Sequence, residues 1–155
     1  MIPRGKQFET KFKEDWFKSF PNSFLYRLPD QVSGYKNTSK NICDFIGFAS
    51  GTLYLIECKS HKGASLPLSC ISQFDSLKSK IGIPGVRSGV ILWLIEKDKV
   101  LYIPTSTLVT LKEEGEKSVG LRHIDKYNIL NIPSMKKRVF MDSDYSVLQI
   151  LKEGE

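Results

Sequence analysis

At 155 residues, 41% of them hydrophobic, the chain is sized for one domain with a core of its own. Lys and Arg number 23 against 17 Asp and Glu, and the resulting +6 charge suits an anionic partner such as nucleic acid better than an acidic or neutral one. No apolar run is long enough to span a bilayer and the charged N-terminus lacks the apolar centre of a signal peptide, so a cytoplasmic protein with no membrane partner is expected; three Cys without a CxxC pair fit that reducing compartment and argue against structural zinc.

Phe8, Phe12, Trp16 and Phe20 recur every four residues, with Phe17 added to the stripe, so 5–20 is predicted as an amphipathic helix with an aromatic inner face, ended by Pro21. Residues 23–30 alternate like a short strand closed by Pro29-Asp30. The polar stretch 31–41, with Gly34 and Asn37, is predicted as a loop or short stalk. Strands follow at about 42–48 and 53–60, then a basic connector, "HKGASLP", and a helix over 68–81. "SGVILWLIE" reads as a fully buried strand, paired with "KVLYIP" as a hairpin across Lys97-Asp98. A helix over 105–114, capped by Thr105 or Ser106, is the last clear element. The order predicts an α/β fold around a mixed central sheet flanked by helices.

Charged residues interrupt the central strands. Along the 53–60 strand Glu57 and Lys59 share a face with Leu53 and Leu55, while Tyr54, Ile56 and Cys58 take the other. A two-residue turn at Ser50-Gly51 would pair Ala49 with Thr52, and counting back sets Asp44 opposite Glu57. Directly opposed side chains have Cβ atoms about 4.5–5.5 Å apart. Two carboxylates so close repel, and a divalent cation with oxygen ligands, Mg²⁺ or Mn²⁺, relieves the repulsion. Lys59 would then stand beside the ion, free to hold a water or a phosphate oxygen. The other reading of the same residues is an ion pair in which Lys59 bridges Asp44 and Glu57. Glu9, one residue after an inward aromatic, is placed to reach the same pocket, or else is an exposed helix carboxylate. The register also sets Cys43 opposite Cys58, read as two buried thiols rather than a redox pair.

A helical Glu, an Asp, a short hairpin and Glu-x-Lys together resemble the PD-(D/E)xK nucleases, here as Glu9, Asp44 and "ECK" at 57–59. "RGKQFE" and "CDFIGFASGTLYLIECKSHKGASLPL" are similar to the corresponding segments of the RecU Holliday junction resolvases, and "SGVILWLIEKDKVLYIPTSTLVTL" to their later hairpin and helix. The sequence departs from that family in three ways. Cys43 stands where Thr or Pro usually precedes the Asp. The Glu9–Asp44 interval leaves room for only a reduced stalk. The family's Gln after the connector has Gln73 as its candidate, although an ungapped reading puts Asp75 there.

The resemblance implies a PD-(D/E)xK restriction-endonuclease-like core in one nuclease domain, and a homodimer that cuts four-way DNA junctions. It implies Mg²⁺, with Mn²⁺ able to substitute, held by Asp44, Glu57, the Cys58 carbonyl and Glu9 through water. Glu9, Asp44, Glu57 and Lys59 would be catalytic. Arg4, Lys6, Lys36, Lys40, Lys62 and Gln73 would bind DNA. Alternatives are a repair or restriction-type nuclease without junction preference, and a non-catalytic nucleic-acid-binding relative. Lys136–Arg138, a short basic run, would either extend the DNA surface or be simply solvated.

Overall fold

A computed structural model describes residues 2–30 and 41–150. The aromatic stripe forms α1 (Arg4–Ser19), and Phe8, Phe12, Trp16 and Phe20 are all buried. Phe20 caps the helix, its N–H reaching the Trp16 carbonyl at 2.8 Å, and Pro21 prevents a further turn. Phe17 departs from expectation and is exposed. It follows Trp16 by one residue, about 100° round the helix, which turns it off the buried stripe.

The sheet that α1 covers has six strands: β1 (Phe24–Arg27), β2 (Phe45–Ala49), β3 (Thr52–His61), β5 (Val86–Leu94), β6 (Lys99–Pro104) and β8 (Leu130–Ile132), in that spatial order. Only β3 and β5 run parallel, so the sheet is mixed, and β3 is central as predicted. Ser50 and Gly51 have φ of 50° and 79°, the positive pair that a two-residue hairpin turn needs. Ala49 therefore pairs with Thr52 and the ladder runs to Phe45 opposite Ile56. Between β3 and β5 lie β4 (Ser65–Pro67) and α2 (Phe74–Lys78).

Each sheet face has its own core. Tyr54, Ile56, Cys58, Ile91, Trp93 and Tyr102 pack under α1. Val90, Leu92, Leu94, Leu101 and Ile103 pack on the opposite face under α3 (Thr105–Glu113), with Leu108 and Leu111. The alternation predicted for the buried strands is the one observed. Beyond the β5–β6 turn Asp98 is left-handed, φ 51° and ψ 44°, after a 3₁₀ turn at Ile95–Lys97, so β5 stops at Leu94 rather than at Glu96.

The single helix expected over 68–81 is instead a 3₁₀ turn at Leu68–Cys70, an extended Ile71 and the short α2. Leu68, Ile71, Phe74 and Leu77 are buried at a spacing of three, which drifts by about 60° per step round an α-helix. A broken path lets the first three join the α3 core while Leu77 turns to Cys43 and Leu55. The predicted Thr105 or Ser106 cap is also corrected. Pro104 occupies the cap with no side-chain hydrogen bond, and the buried Thr105 hydroxyl contacts Ser88 Oγ at 3.0 Å. After α3 come β7 (Ser118–Gly120), which pairs with β4, and then β9 (Ser134–Lys137) and β10 (Phe140–Ser143), which pair only with each other. No helix among the described residues is long and apolar enough to cross a membrane.

Candidate active site

Asp44 stands where β2 gives way to a bend. Its N–H donates to the Ile56 carbonyl on β3 at 3.1 Å, while its own carbonyl accepts from Leu28 N–H, beyond the end of β1, at 2.8 Å. In a regular strand both groups of one residue point to the same neighbour. Their divergence marks a local twist, and it has two consequences. The ladder ends at Phe45 opposite Ile56, so Asp44 lies beyond the paired residues rather than directly opposite Glu57 as the turn predicted; its Oδ2 accepts the Cys58 N–H at 2.9 Å and its charge acts on the Glu57 carboxyl. Cys43 turns over: it packs with Leu55 and Leu77, whereas Cys58 lies in the α1 core. The two thiols are buried and free, as expected, but they do not face each other. Burial pushes the Cys43 thiol up to about 12, which leaves it inert as a nucleophile near neutral pH.

Glu57 is 1% exposed. Burial raises its carboxyl above the usual range; Lys59 pulls it down and the Asp44 charge pushes it further up. Lys59 Nζ lies 3.3 Å from Glu57 Oε1. Gln73, with its amide nitrogen turned to the carboxylate, donates at 3.1 Å to Oε1 and 3.2 Å to Oε2. Asp75, the ungapped candidate, is exposed. The break before α2 is what brings Gln73, its N-cap residue, to Glu57.

Glu9 is not in hydrogen-bond contact with this group. Arg27 Nη2 and Nε hold its two oxygens at 3.2 and 3.1 Å, and Lys6 lies at 3.7 Å. Burial holds the Cys58 thiol well above its usual range, and the charges of Asp44, Glu9 and Glu57 push the same way. Arg27 was missed from sequence. It follows Leu25 on the α1 side of β1, opposite Phe45, and only that pairing shows it meeting the helix. Asp30 completes the network, 3.0 Å from Arg27 and 2.8 Å from Lys6.

Arg4 stacks over Phe140 at 5.5 Å and also donates to Gln7. Lys62 is exposed on the connector. Lys36 and Lys40, and the proposed stalk except Asn41, lie outside the described residues. Among the described residues no three Asp, Glu, His or Cys side chains converge as a ready-made metal cage. The donor set still fits a hard divalent ion. Among the described residues Asp44 Oδ1 has no hydrogen bond, Glu57 is a buried carboxylate beside a like charge, and the Cys58 carbonyl leaves β3 on the same side as its Asp44-bound N–H.

No protein-family model matches the chain, and no curated protein matches it in sequence. Among solved structures it is similar to Hjc of Archaeoglobus fulgidus, a Holliday junction resolvase from an archaeal hyperthermophile. The TM-score is 0.56 at 20% identity, over 79% of this chain and 93% of that one. The fold is Hjc-like. At that identity the likeness is one of architecture, a mixed sheet with flanking helices, and it agrees with the fold that the RecU resemblance implied.

Proposed function

We propose that the chain is a Mg²⁺-dependent endonuclease of the RecU type, one nuclease domain, that resolves four-way DNA junctions as a cytoplasmic homodimer, with Mn²⁺ able to substitute. The observation that carries this reading is the grouping at the end of β3 of Asp44, whose Oδ2 accepts the Cys58 N–H, with the buried Glu57 and with Lys59 3.3 Å from it. The Hjc-like fold supports it, because that neighbour is a junction resolvase.

Asp44, Glu57 and the Cys58 carbonyl would hold the ion, and Glu9 would reach its hydration shell through water. A divalent ion at this place lowers the pKa of water and offsets phosphate charge. The protein's own groups do the rest. Asp44 is held by the Cys58 N–H, which fixes one oxygen and leaves the other without a partner among the described residues. Gln73 fixes the Glu57 carboxylate from the connector side. Lys59 leaves Glu57 to orient the attacking water and to stabilise the negative charge that builds on the phosphorane. The water oxygen would form a new bond to phosphorus as it gives up a proton to solvent, the bond to the leaving sugar oxygen would break, and that oxygen would take up a proton from solvent. Arg4, Lys6, Lys36, Lys40 and Lys62 would contact backbone phosphates, which gives affinity without sequence reading. Arg27, bonded to both Glu9 oxygens, positions that carboxylate.

Self-association is supported by the uncovered sheet face, where Phe24 and its cross-strand partner Phe48 are 54% and 49% exposed beside Tyr26. Cleavage of linear, flap and four-way substrates of equal length tests the function. Cutting of the four-way substrate alone, in Mg²⁺ and not in EDTA, is expected. Equal cutting of all three would replace the resolvase reading by a general nuclease, and wild type no more active than Asp44→Asn would remove the site.

A further inference from the structure

The β9–β10 hairpin is not part of the main sheet and carries the chain's densest basic run. Its strands are joined through Arg138, left-handed at φ 50°, and Val139. Residues 135–139 are all exposed. An apolar Met135 and Val139 at 64% and 46% exposure have no folding purpose there, and a two-stranded ribbon with no apolar face of its own is marginal in water. What holds it is its base. Phe140 stacks on Trp93 at 5.6 Å and under Arg4, Met141 is buried, and Asp142 takes Lys11 at 2.6 Å. The tip is left to solvent. Neither Lys137 nor Arg138 makes an ion pair or side-chain hydrogen bond among the described residues, whereas Lys136 is paired with Asp98 at 2.9 Å.

Its placement ties the hairpin to the candidate site. Trp93, which seats Phe140, is the β5 partner of Ser60, one residue past Lys59 on β3 but on the α1 face of the sheet. The Lys62 carbonyl accepts the Glu96 N–H at 3.3 Å, so the connector that leaves the site rests against the turn holding Lys97, Asp98 and Lys99. Lys136 is pinned to that same turn. From the carboxyl end of β3, basic groups therefore follow one another across neighbouring segments, from Lys62 through Lys97 and Lys99 to Lys136, Lys137 and Arg138. Glu96 and Asp98 stand among them and Asp98 pairs with Lys136, so the excess positive charge is greatest at Lys137 and Arg138, the part suited to lying along a phosphate backbone.

We propose that the β9–β10 hairpin is a DNA-gripping arm, in which Lys137 and Arg138 contact backbone phosphates of a duplex leading away from the cleaved bond. This rests on the nuclease reading but names a contact that the catalytic group does not supply. The arm grips by charge, and the two-residue tip lets Arg138 project from the end of the ribbon.

The test compares wild type, Lys137→Ala/Arg138→Ala and the charge-conserving Lys137→Arg/Arg138→Lys. Fluorescence anisotropy measures binding of a labelled four-way junction and of one linear duplex in EDTA, over a range of KCl concentrations. Each lost phosphate contact should lower the slope of log affinity against log salt by about 1, so the Ala pair is expected to lose about two units of slope and at least about tenfold in affinity at low salt. The conservative pair should retain both. In Mg²⁺, cleavage by the Ala pair at saturating DNA should stay within about twofold of wild type while KM rises. An Ala pair that melts like wild type and binds with unchanged slope overturns the arm and leaves the nuclease reading standing. Wild type that binds neither DNA overturns both. Loss of cleavage at saturating DNA, with binding intact, also overturns the arm, since it would put the tip in the chemistry.

Discussion

Glu57 is buried, and its burial outweighs Lys59, so its carboxyl sits above the ordinary range. The folded chain thus binds this proton more tightly than the unfolded chain. Stability is therefore greatest below the unfolded carboxylate value and falls as pH rises through the interval up to the folded value. Glu57→Gln removes the penalty. In metal-free buffer near pH 7 the variant should melt above wild type, and near pH 4, about the ordinary carboxylate value, the two should converge. Thermal melts at both pH values decide it; a variant less stable than wild type at neutral pH would mean that the Lys59 and Gln73 contacts more than offset the burial. Mn²⁺ should reverse the order, raising the melting temperature of wild type and not of Asp44→Asn, because an ion that binds only the folded state stabilises it by mass action. In cleavage, Asp44→Asn should lose more than about 100-fold, since even partners one step removed from a metal cost about 10–100-fold.

At the scale of elements, α1 is fixed to the far end of the chain by charge as well as by its aromatic stripe. Asp15, 2% exposed, accepts Lys11 at 2.7 Å and the Ser143 N–H at 2.9 Å, and Lys11 reaches on to Asp142. Lys11→Met leaves Asp15 without its counter-charge and should cost about 3 kcal/mol in a urea titration. In the middle of β5, a Cβ on Gly89 would lie 2.6 Å from the Tyr102 ring and 2.7 Å from the Ile103 carbonyl. Gly89→Ala should therefore destabilise by about 2 kcal/mol, with the backbone contact preventing easy relief.

These two cases also show what was legible in the sequence. The hairpin register was, because a two-residue turn and strand alternation fix it from Ala49 opposite Thr52 to Phe45 opposite Ile56, whereas Asp44 falls one residue past the ladder. The partners of Asp15 and Glu9 were not, because they lie 128 and 18 residues away and no local period encodes the meeting. The broken 68–81 segment was misread for a related reason: spacing of three looks helical until the two cores it serves are known. Cys43 was placed on the wrong face because alternation was carried one residue past the Asp44 twist.

For the whole molecule, the reading combines a basic chain, an Hjc-like fold and an acidic pair at the end of its central strands. A dimer is expected in sedimentation equilibrium, weakened by Phe48→Asp on the exposed sheet face; a monomer at all concentrations would contradict the homodimer. The claim beneath everything else is that Asp44 and Glu57 share one divalent ion. An anomalous diffraction experiment on crystals grown with Mn²⁺ tests it most directly. The account predicts one strong peak within about 2.2 Å of a carboxylate oxygen of each residue, with the Cys58 carbonyl beside it. No peak there, with Lys59 and Gln73 still closed on Glu57, would contradict it.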